Sequence, residues 1–302
     1  MRILNFAPHP KANPRLGALY QGKILDVPYA FKEVFDSEAP SWFNSTDNLI
    51  KGGDEALSLL KKLLSYNNID SNLYNLDEVI YYPAIMNPEK ILCVFLNYEA
   101  HTKEAKRETP KEPYIFSKLP STLIGHKWPI ILPKASKQVD YEAELALIVG
   151  KRGKYINKDD AYKYIFGYTI FNDVSFRDRR QHAMMKEIGL NFLHAKSLDG
   201  AGPIGPWIVT KDEITDPHNL SITLWVNDEI RQNDSTRSMI FKIPEIVEYI
   251  TNGISLKPGD VISTGTPSGT ALATGKFLKE GDNVRIKIEN IGELINPVKA
   301  ES

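Results

Sequence analysis

Two glutamates, Glu142 and Glu144, lie one residue apart in the apolar segment VDYEAELALIVG, which predicts a largely buried β-strand. Side chains alternate between the faces of a strand, so both carboxylates share one face with Asp140. The repulsion and the cost of burial can be relieved by protonation, by pairing with Lys or Arg, or by binding a cation. We favour a divalent metal ion, and a cluster of salt bridges is the alternative.

A third carboxylate, that of Asp173, ends the predicted strand in GYTIFNDVS. Strand ends commonly present side chains to a site while the sheet holds them rigid. Ligation by oxygen alone favours Mg²⁺, Mn²⁺ or Ca²⁺, with Mg²⁺ the first choice, whereas zinc sites usually recruit His or Cys. A calcium loop of the EF-hand kind is the wrong interpretation, because Leu145 and a strand follow the acidic residues instead of a glycine turn.

The composition limits the partners that this chain can have. Its 302 residues include 37 basic and 38 acidic side chains, which give a formal net charge of −1. This balance supplies no global positive field for nucleic acid or an anionic membrane. The first residues lack a long apolar run, and no segment approaches membrane-spanning length. Cys93, the only cysteine, excludes an internal disulfide. We therefore expect a soluble, cytoplasmic protein.

The sequence segments around the candidate site residues predict a β-rich α+β fold in two parts. Residues 1–85 are expected to form a small N-terminal α/β domain, with short strands and the amphipathic helix DEALSLLKKLLSY. The proline-containing connector YYPAIMNPEK leads into a larger domain, residues 86–302, with strands such as AELALIVG and DVISTG. The final segment, GELINPVKAES, is expected to be a loose end.

Four segments resemble, in order and spacing, the motifs of the fumarylacetoacetate hydrolase family: DYEAELALIVG, NDVSFRDRR, HAKSLDGAGPIGPWIVT and GDVISTGTPSG. The similarity extends from about Ile91 to Val298. The resemblance implies a mixed catalytic domain of the β-sandwich roll type, commonly a homodimer. It also implies that Mg²⁺ or Mn²⁺ is held by the positions that here are Glu142, Glu144 and Asp173.

The same family points to the pattern NYxxHxxE, which here includes Tyr98, His101 and Glu104. Residues three apart on a helix are neighbours, so Glu104 can accept a hydrogen bond from His101, fix its tautomer and raise its basicity. The resemblance implies that this catalytic pair lies on a mobile lid over the substrate, which Tyr98 would contact. A solvated surface helix is the alternative.

Lys196, in HAKS, is the remaining catalytic candidate. An ammonium beside three carboxylates and one divalent ion would be stabilised and could hold an anionic substrate or enolate. The family has a lysine at this position, although the ammonium could simply neutralise Glu142 or Asp173. Gly265 and Thr266 offer a backbone N–H and a hydroxyl that could bind a substrate carboxylate, and a plain turn is the alternative.

Substrate specificity has five further candidates: Arg177, Arg180, Gln181, Arg231 and Gln232. Many relatives carry glutamine two positions after the aspartate of an RDxQ pattern, where this chain has Arg180. An arginine there would favour a second carboxylate on the substrate. Surface ion pairing is the alternative for these arginines.

The chemistry that these parts favour is formation of an enolate from a 2-oxoacid or 1,3-diketoacid, with the metal as electron sink. We expect hydrolysis of a C–C bond in a small dicarboxylate or 2-oxoacid of the fumarylacetoacetate or acylpyruvate type. A water molecule activated by His101 and Glu104 would be the nucleophile. The same enolate serves a 2-hydroxyhepta-2,4-diene-1,7-dioate type isomerase or tautomerase, an oxaloacetate decarboxylase or a sugar-acid dehydratase. A non-catalytic module that binds small acids or metal is the alternative from another class.

Overall fold

A computed structural model describes residues 1–66, 69, 72–180 and 191–302. The described residues form a β-rich α+β fold, which confirms the predicted fold class. Their strands, in chain order, are β1 (Arg2–Ala7), β2 (Arg15–Tyr20), β3 (Lys23–Asp26), β4 (Leu73–Tyr74), β5 (Ile80–Tyr81), β6 (Ile91–Phe95), β7 (Tyr114–Lys118), β8 (Leu123–Ile124), β9 (Ile130–Leu132), β10 (Val139–Asp140), β11 (Ala143–Val149), β12 (Ile165–Asn172), β13 (Ser175–Phe176), β14 (Gly202–Thr210), β15 (Ser221–Val226), β16 (Glu229–Ser235), β17 (Val261–Ser263), β18 (Asn283–Ile288) and β19 (Gly292–Ala300).

The α-helices are short and lie between the strands. Those in the described residues are α1 (Val27–Phe35), α2 (Thr46–Lys51), α3 (Gly53–Leu64), α4 (Glu99–Glu104), α5 (Phe192–Lys196), α6 (Ile243–Thr251) and α7 (Ala271–Thr274). The amphipathic pattern predicted α3, whose Ala56, Leu60 and Leu63 are buried. No helix in this part of the chain is long and apolar enough to cross a membrane.

The largest sheet in the described ranges joins the N-terminal strands to the rest of the chain. Its main order is β4-β3-β2-β1-β14-β12-β11-β17-β6-β7, with β5 beside β1 and β8 beside β14. The two parts meet where β1 pairs antiparallel with β14, with Ile3 opposite Ile208. The predicted division into residues 1–85 and 86–302 stays a prediction, and this sheet runs across it.

A second sheet has the order β16-β15-β18-β19-β9 and contains the C-terminal segment. The prediction of a loose end there was wrong. Strand β19 pairs with β18 and β9, and Leu294, Asn296 and Val298 are all buried on alternate positions. This period of two is that of a strand with one buried face. The amide of Asn296 adds hydrogen bonds to Gly125 O and Trp128 O.

Three neighbouring strands of the large sheet position the acidic residues. Strands β11 and β12 are antiparallel, with Ala143 opposite Asn172. The N–H of Asp173 donates to the carbonyl of Glu142 at 2.9 Å, so the start of β11 meets the end of β12. Strand β17 lies on the other side of β11 and ends at Ser263, beside Glu144. The site is therefore built at the ends of interior strands, which the sheet holds rigid.

Candidate active site

The three predicted acidic residues converge. Glu142, Glu144 and Asp173 each offer a carboxylate oxygen, and these oxygens all lie within 4.8 Å of one another. All three side chains are buried, with 5%, 2% and 1% exposure. A buried set of hard oxygen donors is the kind of site that a divalent ion such as Mg²⁺ or Mn²⁺ occupies.

Two buried lysines contact this cluster. The Nζ atom of Lys196 lies 2.6 Å from Glu142 Oε2 and 2.6 Å from Asp173 Oδ2. The Nζ atom of Lys118 lies 2.6 Å from Asp173 Oδ1 and donates to Val174 O at 3.1 Å. Burial disfavours both ammonium ions and lowers the pKa of Lys118. At Lys196 the nearby carboxylates of Asp173 and Glu142 outweigh the effect of burial, so the pKa of Lys196 is raised. Salt bridges thus neutralise part of the cluster.

Arg177 pairs with two carboxylates of the same segment. Its Nε lies 2.7 Å from Asp140 Oδ2, and its Nη2 contacts Glu142 Oε1. Burial would raise the pKa of Glu142, but Lys196 and Arg177 outweigh it and hold that pKa well below its usual range. The guanidinium therefore has a buried ion-pair role. A contact of Arg177 with substrate stays a prediction.

Glu144 differs from its neighbours, because no Lys or Arg forms an ion pair with it in the described ranges. Its Oε2 accepts hydrogen bonds from Ser263 Oγ and, at 3.0 Å, from Gly265 N. Burial, together with Asp173 and Glu142, raises the pKa of Glu144 well above its usual range. The described residues pair no Lys or Arg with the Glu144 carboxylate, and a divalent cation bound by the three carboxylates would supply that positive charge.

The predicted dyad forms on α4. His101 Nδ1 lies 3.1 Å from Glu104 Oε2, and the other oxygen, Oε1, accepts a hydrogen bond from Gly269 N at 2.8 Å. Burial would raise the pKa of Glu104, but His101 and the Gly269 N–H outweigh it and lower that pKa. An ionised carboxylate only accepts hydrogen bonds, so Nδ1 donates, and the neutral imidazole carries its lone pair on Nε2. His101, Glu104, Lys106 and Thr270 help to line a cavity of about 140 Å³.

A glycine is required where α4 docks. Gly269 has a φ of +101°, and a Cβ there would lie 1.9 Å from Arg231 O. A side chain would therefore collide with the β16 backbone and move the N–H away from Glu104. The loop around Gly269 holds α4 against the body of the protein, so the alternative of a freely solvated helix does not describe this conformation.

Several predicted substrate groups are used within the protein. Gly265 N donates to Glu144, and Thr266 Oγ1 donates to Ala143 O. The Gln232 amide donates to Thr266 Oγ1 at 2.9 Å and accepts from Ala143 N at 2.9 Å. These contacts fasten the loop after β17 to β11. Binding of substrate by Gly265, Thr266 and Gln232 stays a prediction.

The other specificity candidates lie in different surroundings. The hydroxyl of Tyr98 is buried without a hydrogen-bond partner in the described ranges, and burial and nearby Glu144 raise its pKa. The Nη2 atom of Arg231 lies 3.2 Å from Glu229 Oε2. Its Nε and Nη1 atoms are buried and have no hydrogen-bond partner among the described residues. Arg180 is half-buried, and Gln181 lies outside the described residues.

Sequence reasoning missed Lys118. It ends strand β7, YIFSK, where Phe116 and Lys118 are buried on the same face and Ser117 between them is exposed. A lysine in register with an inward-facing aromatic residue was the available signal, because a charged residue at a buried strand position needs a partner. Its partner Asp173 is 55 residues away, so the sequence did not identify it.

Comparison with known proteins identifies the family of this chain. The family described as Fumarylacetoacetate (FAA) hydrolase C-terminal matches residues 90–299. Oxaloacetate tautomerase fahd2, mitochondrial, of Xenopus laevis is 38% identical over 302 residues, covering 99% of this chain and 90% of the relative. Full-length coverage extends the similarity to the N-terminal part, which the motifs alone did not reach.

Two solved structures have the same fold over 100% of this chain and 100% of their own. Fumarylacetoacetate hydrolase of Exiguobacterium antarcticum is 32% identical with a TM-score of 0.81. Maleylpyruvate hydrolase of Sphingobium sp. SYK-6, in complex with manganese(II) ion and pyruvate, is 28% identical with a TM-score of 0.78. The chain belongs to the fumarylacetoacetate hydrolase family.

Proposed function

We propose that this protein is a divalent-metal-dependent enzyme that interconverts the keto and enol forms of a 2-oxo dicarboxylic acid of the oxaloacetate type. The observation that carries the proposal is the meeting of Glu142, Glu144 and Asp173 within 4.8 Å, with Lys196 against two of them. The sequence alone favoured C–C hydrolysis. The full-length similarity to an oxaloacetate tautomerase moves tautomerisation to first place.

Mg²⁺ is the proposed metal, with Mn²⁺ or Ca²⁺ as alternatives, and the three acidic residues would hold it. Such an ion would polarise the carbonyl beside the substrate carboxylate and stabilise negative charge on the enolate oxygen. Four buried carboxylates, including Asp140, face three buried cations. A bound divalent ion makes this cluster positive by one charge, which favours an anionic substrate.

The chain's own side chains would move the proton. In its neutral form, His101 would take a proton at Nε2 from the carbon next to the carbonyl; the C–H electron pair would form the C=C bond and the carbonyl π pair would move onto the oxygen, which gives the enolate. The imidazolium would then return a proton to that oxygen, which completes the enol and restores the base. Glu104 would stabilise the imidazolium so formed. The ammonium groups of Lys196 and Lys118 would donate hydrogen bonds to the oxygen atoms that gain negative charge. Arg180 would contact the second carboxylate.

C–C hydrolysis is the second candidate, because the same dyad could deprotonate a water molecule in the adjoining cavity. The similarity to a maleylpyruvate hydrolase favours it. Decarboxylation of oxaloacetate and dehydration of a sugar acid use the same enolate and rank lower. A non-catalytic module that binds small acids or metal ranks last.

The test is an absorbance assay of enol-oxaloacetate ketonisation by the purified protein, run beside hydrolysis assays with an acylpyruvate and with maleylpyruvate. Free metal ions catalyse enolisation themselves, so the reference is Glu142→Gln protein at the same Mg²⁺ concentration. The expected result is faster ketonisation with Mg²⁺ than in EDTA, and little acylpyruvate cleavage. Cleavage with no ketonisation above the reference would select hydrolysis, and binding without turnover would select the module.

The oligomeric state and the cellular location of the enzyme are also proposals. We infer a homodimer that acts on small molecules, as the family resemblance implied. The cytoplasmic location stays the first choice from the sequence, although the Xenopus relative is described as mitochondrial. Fractionation of cells with an antibody to this protein distinguishes the two compartments.

A further inference from the structure

Asp140 is the most completely bonded carboxylate near the site. It has no exposed surface. Its Oδ1 accepts hydrogen bonds from Ala271 N at 2.6 Å and from Tyr141 N at 2.7 Å, and its Oδ2 accepts from Leu272 N at 3.0 Å and from Arg177 Nε at 2.7 Å. Both oxygens are thus engaged by the protein, and among the described residues Asp140 is not part of the acidic group whose oxygens converge within 4.8 Å, so it lies outside the proposed metal-ligand set.

These contacts fix the loop to which the lid docks. The loop contacts two different carboxylates. Gly269 N donates to Glu104 Oε1 on α4, whereas Ala271 N and Leu272 N donate to Asp140. The two anchoring positions follow Gly269 by only two and three residues. The carboxylate also caps the first turn of α7, whose N–H groups lack partners within that helix. The place of the Gly269 N–H therefore depends on Asp140.

Arg177 connects the carboxylate of Asp140 to that of Glu142, one of the proposed metal ligands. Its guanidinium contacts Asp140 through Nε and Glu142 through Nη2. A planar guanidinium that joins two carboxylates fixes their relative orientation, which a lysine cannot do with one nitrogen. A continuous set of contacts thus runs from Glu142 through Arg177, Asp140 and the loop to Glu104.

We propose that Asp140 is a positioning residue that couples the metal-binding carboxylate Glu142 to docking of the lid that carries His101 and Glu104. The inference rests on the proposed function in one respect: it takes His101 and Glu104 as the pair that transfers the proton. The coupling itself is a property of the protein without substrate. Asp140 contacts neither the metal nor the reacting atoms in this proposal and acts through Arg177 and the loop.

The test uses Asp140→Asn, because asparagine keeps the size but turns an NH₂ group toward N–H donors. Backbone hydrogen exchange is followed in residues 99–105 and 269–272 of the full-length protein without substrate. The expected result is faster exchange in both segments and a fall in kcat of about 10- to 100-fold with little change in KM, as for other residues that orient metal ligands and their partners.

A matched control is Asp47→Asn. Asp47 is also a buried aspartate that holds a loop, through Met86 N at 3.0 Å and Asn87 N at 2.8 Å, but it lies away from the lid. It should lose global stability without faster exchange in the lid. Equal exchange changes in both variants would overturn the proposal, as would unchanged lid and loop exchange in Asp140→Asn.

A second variant covers the case in which Asp140→Asn does not fold. Arg177→Lys keeps the charge and removes the bridge between Asp140 and Glu142. It should increase exchange in the same two segments and weaken Mn²⁺ binding measured by calorimetry. Unchanged exchange with wild-type Mn²⁺ affinity would overturn the coupling. A folded protein with the expected exchange pattern but no activity on any 2-oxoacid would refute the proposed function and leave the coupling supported.

Discussion

Glu104 binds His101 with one carboxylate oxygen and the loop at Gly269 with the other, at 3.1 Å from His101 Nδ1 and 2.8 Å from Gly269 N. The orientation of the imidazole and the docking of α4 therefore depend on one side chain. In the proposed mechanism, His101 is therefore oriented for proton transfer while α4 is docked.

Removal of the imidazole should separate proton transfer from metal binding. We expect His101→Ala to lower turnover by about 10²- to 10⁴-fold, the usual contribution of a general base. Its Mn²⁺ affinity, measured by calorimetry, should match the wild type, because His101 is outside the acidic cluster. His9→Ala, at an exposed histidine, is the control and should keep full activity. Turnover of His101→Ala at the wild-type rate would remove the dyad from the mechanism.

Neutral substitutions should affect the two glutamates differently in EDTA. Glu144→Gln should unfold near the wild-type temperature, because Glu144 forms no ion pair with a Lys or Arg of the described residues and its substitution leaves no buried cation there without a partner. Glu142→Gln should lose about 3–5 kcal/mol of unfolding free energy, since it leaves the buried Lys196 and Arg177 short of a partner.

Thermal unfolding with and without Mn²⁺ checks this difference. The metal should raise the wild-type melting temperature through preferential binding to the folded state, and both variants should lose that increase. An unchanged increase in Glu144→Gln would show that Glu144 is not a ligand.

Lys118 should serve the reaction and not the metal. Lys118→Met keeps an unbranched side chain of similar length, and we expect turnover to fall by about 10²- to 10³-fold, as when one donor to a developing oxyanion is removed. Removal of an ammonium 2.6 Å from Asp173 also removes a competing cation, so Mn²⁺ should bind as tightly or more tightly. Weaker Mn²⁺ binding in proportion to the lost turnover would contradict this role.

His126 should make stability depend on pH. Its Nδ1 accepts a hydrogen bond from Ile295 N at 3.0 Å, and burial lowers its pKa from 6.5 to about 4. The unfolded chain therefore binds more protons than the folded one between these values, so stability falls as pH drops from about 6.5 to about 4, by up to about 3 kcal/mol.

Urea unfolding at pH 7 and pH 4.5 measures this effect. His126→Asn, which can still accept the Ile295 N–H, should show a smaller difference between the two pH values than the wild type. His9→Ala should keep the full difference. An equal pH difference in His126→Asn and the wild type would mean that other groups cause it.

The acidic cluster was predictable because it follows from local rules. The period of two in a strand places Glu142 and Glu144 on one face, and the order of motifs brings in Asp173. Lys196 was predicted as a partner of Glu142 or Asp173, but the other partners were not predictable in the same way. Lys118 and Gly269 lie far along the chain from the side chains they contact, and only the packing of the sheet brings them together.

Two elements show why the fold was only partly predicted. Helix α6 is rich in β-branched residues, which favour strands, yet Ile243, Ile246, Val247 and Ile250 form a buried helical stripe. Strand β19 contains Pro297, which argues against a strand, although it pairs opposite Asn283. Tertiary packing overrides local preference in both.

The central claim is that Glu142, Glu144 and Asp173 together bind one divalent ion. Diffraction data collected at the manganese absorption edge from crystals grown with Mn²⁺ test it most directly. We predict one anomalous peak per chain, bonded to an oxygen of each of these three carboxylates, and no peak in Glu144→Gln crystals. A wild-type map without a peak among the three side chains, or a peak that persists in Glu144→Gln, would contradict the claim.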